Sequence, residues 1–191
     1  MFMKSLAVLV VLTIISSSCT IQGLTNDYNK LNENQKAKVL PLIDFDHTQS
    51  GIVYKINGRQ LREELLKYPK SLVYIFSSGC SSEHCKPLMT YKSYAEFNGY
   101  KLFLVMTGYM DFDKTIEQDI PGPLYVIDNQ FYNKVIRNNY VSYFENDLLD
   151  QPLKADNEYL GSLYFFKYGR LEKITRDLPE NSGTNIPEQI R

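Results

Sequence analysis

The segment SLVYIFSSGCSSEHCKP, residues 71–87, joins a continuous apolar run to two cysteines spaced C-x4-C. A short run of this kind is typical of a strand that is buried on both faces of a parallel sheet. Proline is tolerated in the first turn of a helix, so Pro87 indicates a helix that begins near Lys86 or, alternatively, at Ser82. The segment therefore predicts a strand, a loop and a helix in that order.

The spacing of Cys80 and Cys85 restricts their arrangement. Residues five apart on a regular helix lie about 140° apart and roughly 7.5 Å along its axis. A disulfide needs Cα atoms within about 7 Å and side chains that face each other. If the two cysteines bond, Cys80 must therefore lie in the loop. A helix N-terminus stabilises a thiolate, and His84 and Lys86 would add to this effect, whereas Glu83 would oppose it.

The flanking sequence alternates between strand and helix patterns. Predicted strands cover 51–56, 71–76, 101–107 and 120–128, predicted helices cover 59–68, 87–97, 111–118 and 140–151, and a hairpin covers 162–174. Gly99 is a predicted C-cap, Asp111 a predicted N-cap, and Tyr168-Gly169 the predicted hairpin turn. This alternation predicts an α/β domain with parallel inner strands.

The N-terminus has the features of a secretory signal peptide. Lys4 precedes the apolar run 6–15, and small residues follow up to Cys19. The run is too short to span a bilayer, which needs about 20 residues. The small residues before Cys19 resemble a bacterial lipobox, and this resemblance implies that Cys19 becomes the lipidated first residue of the mature chain. Ordinary cleavage near Ser18 is the alternative.

Lipidation also accounts for the odd number of cysteines. The chain contains three, and acylation of Cys19 leaves Cys80 and Cys85 as a pair. Export places that pair where disulfides persist. We therefore expect a lipid-anchored protein of the bacterial cell envelope, facing the periplasm or on the outer membrane, whose first partner is membrane lipid through Cys19.

Composition suggests four regions along the chain. Residues 1–18 are the predicted signal peptide, 19–50 a lipidated tether with a short helix, 51–178 the folded domain and 179–191 a flexible tail. The short helix is predicted within 32–40, where Asn32 and Gln35 can form a capping box and Pro41 stops the helix.

The cysteine segment and its surroundings resemble the thioredoxin fold over residues 51–176. "SLVYIFSSGC" resembles the central strand of that family, "CKP" the lysine after its second cysteine, and "GSLYFFKYGRLEKI" its terminal hairpin. The resemblance implies a thioredoxin-like sandwich, with a central mixed sheet flanked by helices and a terminal β-hairpin. It also implies thiol–disulfide exchange, with Cys80 as the nucleophile and Cys85 as the resolving thiol.

The chain departs from the thioredoxin pattern in three features. It has C-x4-C where thioredoxins have C-x2-C, and Ser78 and Gly79 precede the first cysteine in place of Trp. The cis-proline of the family matches Pro123 if "IPGPLYV" is the equivalent strand. If "GSLYFF" is that strand, Gly161 or Ser162 holds the place, and the preceding segment is an insertion.

Other interpretations of the cysteine pair remain open. A structural disulfide could staple the loop, either in a non-catalytic binding module or in a structural lipoprotein. The loop also resembles that of one-domain Q-type peroxiredoxins, although Val73 and Ser77 stand where those enzymes have Pro and Thr. A metal site built from Cys80, His84 and Cys85 would need a fourth ligand, and the only other histidine is His47.

Several functional classes are disfavoured by the sequence. A net charge of −1 argues against a nucleic-acid partner, which would require a basic face. The sequence contains no phosphate-binding loop, nucleotide fingerprint or Ser–His–Asp pattern, so we predict no cofactor. The expected protein partners are envelope thiols or disulfides.

Overall fold

A computed structural model describes residues 23–79, 86–118, 120–156 and 158–179. The strands in these ranges are β1 Val39–Pro41, β2 Val53–Ile56, β3 Lys70–Phe76, β4 Lys101–Met106, β5 Leu124–Ile127, β6 Leu163–Lys167 and β7 Arg170–Thr175. The α-helices are α1 Glu33–Lys36, α2 Gly58–Leu65, α3 Leu88–Asn98, α4 Phe112–Ile116 and α5 Arg137–Leu148, and a 3₁₀ turn covers Tyr28–Lys30.

The seven described strands form one mixed sheet in the order β1-β2-β5-β4-β3-β6-β7. The first five strands in this order are parallel, β6 is antiparallel to β3, and β7 is antiparallel to β6. The predicted α/β class with a terminal hairpin is therefore confirmed. The carboxyl edge of the sheet consists of the residues that directly follow β2, β3, β4 and β5, namely Asn57, Ser77, Thr107 and Asp128.

Helices cover both faces of the sheet. Successive side chains of a strand point to opposite faces, so Tyr74 and Phe76 join the core beneath α3 and α4, whereas Val73 and Ile75 join the core beneath α2 and α5. Because both faces of β3 are covered, its sequence is an almost continuous apolar run. The helices contribute Leu88, Tyr91, Ala95 and Phe112 to the first core, and Leu61, Leu65, Tyr140, Phe144 and Leu148 to the second.

Three of the predicted local signals at helix and strand ends are confirmed. The Asn32 side chain accepts a hydrogen bond from the Gln35 N–H (2.9 Å), and the Gln35 side chain accepts one from the Asn32 N–H (2.8 Å). Gly99 ends α3 in the left-handed region with φ 70°. Tyr168 and Gly169 both have positive φ, as the two-residue turn between β6 and β7 requires.

The chain before residue 50 differs from its sequence-based description as a tether. Helix α1 ends at Lys36 rather than at Pro41, and residues 39–41 pair in parallel with β2. Leu31 and Leu42 are buried in the two cores. From residue 23 onward, the region expected to be a tether therefore packs against the α/β domain.

Asp111 also differs from its prediction as a helix cap. It holds the N-cap position of α4 but adopts a left-handed backbone with φ 49°, and its side chain makes no capping hydrogen bond to the described first turn. Its carboxylate instead lies 3.1 Å from Lys114 Nζ. Separately, no helix in the described part of the chain is both long and apolar enough to cross a bilayer.

Candidate functional site

Strand β3 brings the chain to the carboxyl edge immediately before the two-cysteine segment. Four predicted site residues lie outside the described residues: Cys19, Cys80, His84 and Cys85. The described residues 77–79 and 86–88 define where the two-cysteine segment begins and ends. These flanking residues and the side chains that hold them form the described part of the candidate site.

The beginning of the segment is held tightly against the residues that follow β4. The Ser78 hydroxyl is buried and donates a hydrogen bond to the carbonyl oxygen of Gly108 (3.1 Å). Gly79 has φ +86°, and a Cβ there would lie 2.5 Å from Oδ2 of Asp111. Glycine at this position therefore allows the Asp111 carboxylate to lie against the residue that precedes Cys80.

The end of the segment leads directly into α3. Lys86 is exposed, and Pro87, with φ −51° and ψ 142°, holds the N-cap position of the helix. The Leu88 N–H, the first of the helix, donates to Oε1 of Gln118 (3.1 Å). Lys86 and Pro87 are not helical, so a continuous helix from Ser82 into α3 is excluded. The helix begins at Leu88, two residues after the start predicted near Lys86.

A pocket of about 370 Å³ lies between the two flanks of the segment. Its walls are the end of β3, the start of α3, and Thr115 and Gln118 beside them. The ring of Tyr74 stacks on that of Tyr91 with centroids 4.0 Å apart. Burial raises the pKa of Tyr74, which lines the pocket, far above its usual value, so its hydroxyl stays neutral.

Arg137, at the start of α5, lies behind the beginning of the segment with its side chain only 12% exposed. Its Nη1 donates to the Ser77 hydroxyl (3.2 Å), while Nε and Nη2 donate to the carbonyl oxygen of Thr25 (3.2 and 2.8 Å). Nη2 also lies 3.6 Å from Oδ2 of Asp27. A Cβ at Gly108 would be 2.8 Å from Nη2, so the guanidinium position depends on that glycine.

The N-terminal segment, residues 23–28, crosses the carboxyl edge. The Tyr109 N–H donates to the carbonyl oxygen of Asn26 (2.8 Å), and the Arg137 N–H donates to that of Leu24 (2.9 Å). These bonds attach the segment to the chain that follows β4 and to the first residue of α5. The N-terminal segment and the beginning of the two-cysteine segment therefore occupy the same edge of the sheet.

Pro123 lies far from this edge. Strands β3, β4 and β5 are parallel, so all three begin at one edge of the sheet, the amino edge, and end at the carboxyl edge. Pro123 directly precedes β5 and therefore lies at the amino edge, whereas Ser77 follows β3 and lies at the carboxyl edge. No cis peptide bond occurs in the described ranges. Gly161 and Ser162 lie beside the end of β3 instead, where the carbonyl oxygen of Ser162 accepts a bond from the Ile75 N–H (2.9 Å). Pro123 is therefore not the cis-proline of the thioredoxin pattern.

His47 is also remote from the cysteine segment. It is exposed, and its Nδ1 lies 2.7 Å from Oδ2 of Asp44. The backbone N–H of Asp46 and the ring of His47 hold the pKa of Asp44 below its usual value. Asp44 also interacts electrostatically with Lys67, which follows α2 and therefore lies toward the amino edge, where β3 begins. The described structure thus brings no fourth metal ligand from this loop to the carboxyl edge.

Arg137 and its partners were not predicted from the sequence. Thr25 and Ser77 lie 112 and 60 residues before Arg137, so no local spacing links them. No family model, curated protein or solved structure matches this chain. Function must therefore be inferred from the sequence and from the geometry of the carboxyl edge.

Proposed function

We propose that this chain is a thioredoxin-like, lipid-anchored protein of the bacterial cell envelope that performs thiol–disulfide exchange through Cys80 and Cys85. The main support is the continuity of β3, the two-cysteine segment and α3. The segment connects the end of a buried strand, paired on both sides, to the N-terminus of an 11-residue helix. The peptide dipoles at such an N-terminus stabilise a thiolate.

The exchange proceeds by two displacements at sulfur. The Cys80 thiolate attacks a partner disulfide, forms a mixed disulfide and releases one partner sulfur as a thiolate. The Cys85 thiolate then attacks the Cys80 sulfur, which forms the Cys80–Cys85 disulfide and releases the second partner thiolate. Two electrons pass from the cysteine pair to the partner. The reverse sequence oxidises a partner dithiol, so the direction depends on the two reduction potentials.

Two cationic side chains beside the segment favour a thiolate. Lys86 is exposed at the end of the segment, and the Arg137 guanidinium is bonded to Ser77 just before its beginning. Positive charge on both sides stabilises the ionised form of a thiol. The Asp111 carboxylate beside Gly79 acts in the opposite direction, but its charge is partly offset by Lys114 at 3.1 Å.

The test of exchange uses the two cysteine variants in parallel. Cys85→Ser should accumulate mixed disulfides with envelope proteins because the attacking thiol lacks its resolving partner. Cys80→Ser should form none of them and should lose insulin reductase activity. Cys19→Ser, prepared in detergent, is the matched control and should retain that activity. Unchanged activity of Cys80→Ser would contradict the proposal.

The anchor is tested separately by membrane fractionation. Wild-type protein should sediment with membranes and stay in the membrane fraction after salt washing, whereas Cys19→Ser should stay in the supernatant. Mass spectrometry of the N-terminal peptide should find a lipid adduct on Cys19. Membrane association of Cys19→Ser equal to that of the wild type would refute the lipid anchor and leave the exchange proposal intact.

The reduction potential separates exchange from a stapling disulfide. A potential well below roughly −300 mV is typical of a structural bond, and a higher value is typical of an exchanger. A structural bond would favour the alternative of a non-catalytic binding or structural lipoprotein.

Peroxide reduction is the second candidate, because the Ser77 hydroxyl lies three residues before Cys80 and is fixed by Arg137. Attack of the Cys80 thiolate on a peroxide would give a sulfenic acid and water, and Cys85 would then form the disulfide with loss of a second water. Rapid oxidation of Cys80 by hydrogen peroxide, slowed in Arg137→Met, would favour this candidate. Oxidation at the rate of a free thiol would exclude it.

A further inference from the structure

We infer that the carboxyl edge of the sheet lies against the lipid bilayer, with an apolar patch of four exposed side chains in contact with the membrane surface. The patch consists of Leu24, Phe131, Val135 and Ile136. This inference rests on the proposed lipidation of Cys19 and does not depend on the proposed exchange chemistry.

The patch is formed by two segments that lie side by side. Its side chains are between 39% and 68% exposed, and they come from the N-terminal segment and from the loop between β5 and α5. The Arg137 N–H donates to the carbonyl oxygen of Leu24 (2.9 Å), which brings the backbone of Leu24 to the residue that follows Val135 and Ile136, and Phe131 lies earlier in the same loop. Large apolar side chains exposed together in this way indicate an interaction surface.

The proposed anchor is too short to hold this patch away from a membrane. Gly23 is held on the domain through Asp27, because its N–H donates to Oδ2 of Asp27 (3.2 Å), and that oxygen lies 3.6 Å from Nη2 of Arg137. Only three residues separate Gly23 from Cys19. An extended chain spans at most about 3.6 Å per residue, so the two Cα atoms lie within about 14 Å of each other. An acyl chain on Cys19 enters the bilayer, and the N-terminal segment must therefore stay close to the headgroups.

The same contacts bring the two-cysteine segment toward the membrane. Nη1 of Arg137 is 3.2 Å from the Ser77 hydroxyl and 3.6 Å from the position that a Cβ on Gly23 would take. One side chain therefore connects the point where the anchor joins the domain to the residues that precede Cys80.

The amino edge offers matched control positions. Phe97, near the end of α3, and Tyr168, in the hairpin turn, are 66% and 61% exposed. Helix α3 starts at the carboxyl edge and runs toward the amino edge, and Lys167 pairs with Lys70 at the start of β3. Both side chains are as exposed and as large as those of the patch, but they lie on the opposite side of the domain.

The chain contains no Trp, so one introduced Trp reports a single position. Val135→Trp and Leu24→Trp are compared with Phe97→Trp and Tyr168→Trp in the full acylated chain, bound to phosphatidylethanolamine–phosphatidylglycerol vesicles with brominated acyl chains. We expect the two patch variants to lose most of their emission and to shift to shorter wavelength on binding, while the two controls change little. Equal quenching at both edges, or stronger quenching of the controls, would overturn the inference.

Sedimentation with the vesicles separates failure of the inference from failure of the anchor. If wild-type protein remains in the supernatant, the anchor is refuted and the inference falls with it. If the protein sediments but Trp at positions 24 and 135 keeps its emission, the anchor stands and the orientation is refuted. All four substituted side chains are exposed, and circular dichroism of each variant checks that the fold is retained.

Discussion

Nη1 of Arg137 donates a hydrogen bond of 3.2 Å to the hydroxyl of Ser77, 60 residues earlier in the chain. The same guanidinium donates twice to the carbonyl oxygen of Thr25 and lies near the carboxylate of Asp27. One side chain thus fixes the relative positions of α5, the end of β3 and the N-terminal segment.

Replacing Arg137 with Met should lower the free energy of unfolding by about 2–4 kcal/mol, because hydrogen bonds to a charged group are lost and a buried carboxylate loses a cation. Urea denaturation measures the loss. Arg59→Met is the matched control, since Arg59 is largely exposed and lies 3.7 Å from Asp147, and it should cost at most about 1 kcal/mol. Equal losses in the two variants would contradict the role given to Arg137.

Gly58→Ala should separate α2 from α5. A Cβ at Gly58 would clash with the carbonyl oxygen of Phe144 and lie 2.7 Å from the backbone nitrogen of Leu148. Overpacking of this kind lowers stability by about 1–3 kcal/mol, which thermal denaturation can measure. Arg59→Ala, at the next position and exposed, should leave the melting temperature nearly unchanged. A Gly58→Ala protein as stable as the wild type would show that the two helices can move apart freely.

Glu145→Gln should change the pH dependence of stability. Burial raises the pKa of Glu145 above its usual 4.5, and the hydrogen bond from the Tyr164 hydroxyl (2.8 Å) only partly opposes this effect. The folded state therefore prefers the protonated acid, so this group's contribution to stability is full below the unfolded pKa and is lost as pH rises through the folded pKa.

The Gln side chain imitates the protonated acid at every pH. Glu145→Gln should therefore be more stable than the wild type near pH 7, and the difference should shrink as the pH falls through the raised folded-state pKa toward the usual 4.5, below which it should change no further. Urea denaturation of both proteins across this range is the measurement. A difference that stays constant with pH would contradict the raised pKa.

Tyr168→Asn should stabilise the terminal hairpin. Tyr168 has φ 47°, a left-handed conformation that asparagine adopts more easily than tyrosine, and its exposed ring loses little packing on replacement. We expect a gain of about 0.5–1 kcal/mol in the free energy of unfolding. Tyr159→Asn is the control, because Tyr159 is equally exposed but has no positive φ. A gain in the control alone would rule out relief of backbone strain.

Features determined by nearby residues could be predicted from the sequence. The capping box of Asn32 and Gln35, the C-cap at Gly99 and the turn at Tyr168-Gly169 each depend on residues within a few positions of one another. The buried strand β3 was evident because both of its faces are covered. These elements were enough to predict the α/β class and a hairpin near the C-terminus.

Features that depend on distant contacts could not be predicted. Strand β1 buries only Val39 of its three residues, so the sequence shows no alternation that would distinguish it from the end of a helix. Aspartate is a common N-cap residue, but the backbone of Asp111 adopts a left-handed conformation, and its carboxylate lies beside Gly79. The contacts of Arg137 span more than half of the chain and leave no local pattern.

The two edge strands of the described sheet limit pairing between neighbouring molecules. Strand β1 is three residues long and ends in Pro41, which has no N–H to donate, and β7 exposes Arg170, Glu172 and Lys173. Short, proline-ended or charged strands resist pairing with a second chain. If the proposed anchor confines the molecules to a membrane surface, they collide often, and edge strands of this kind keep them from pairing into a shared sheet.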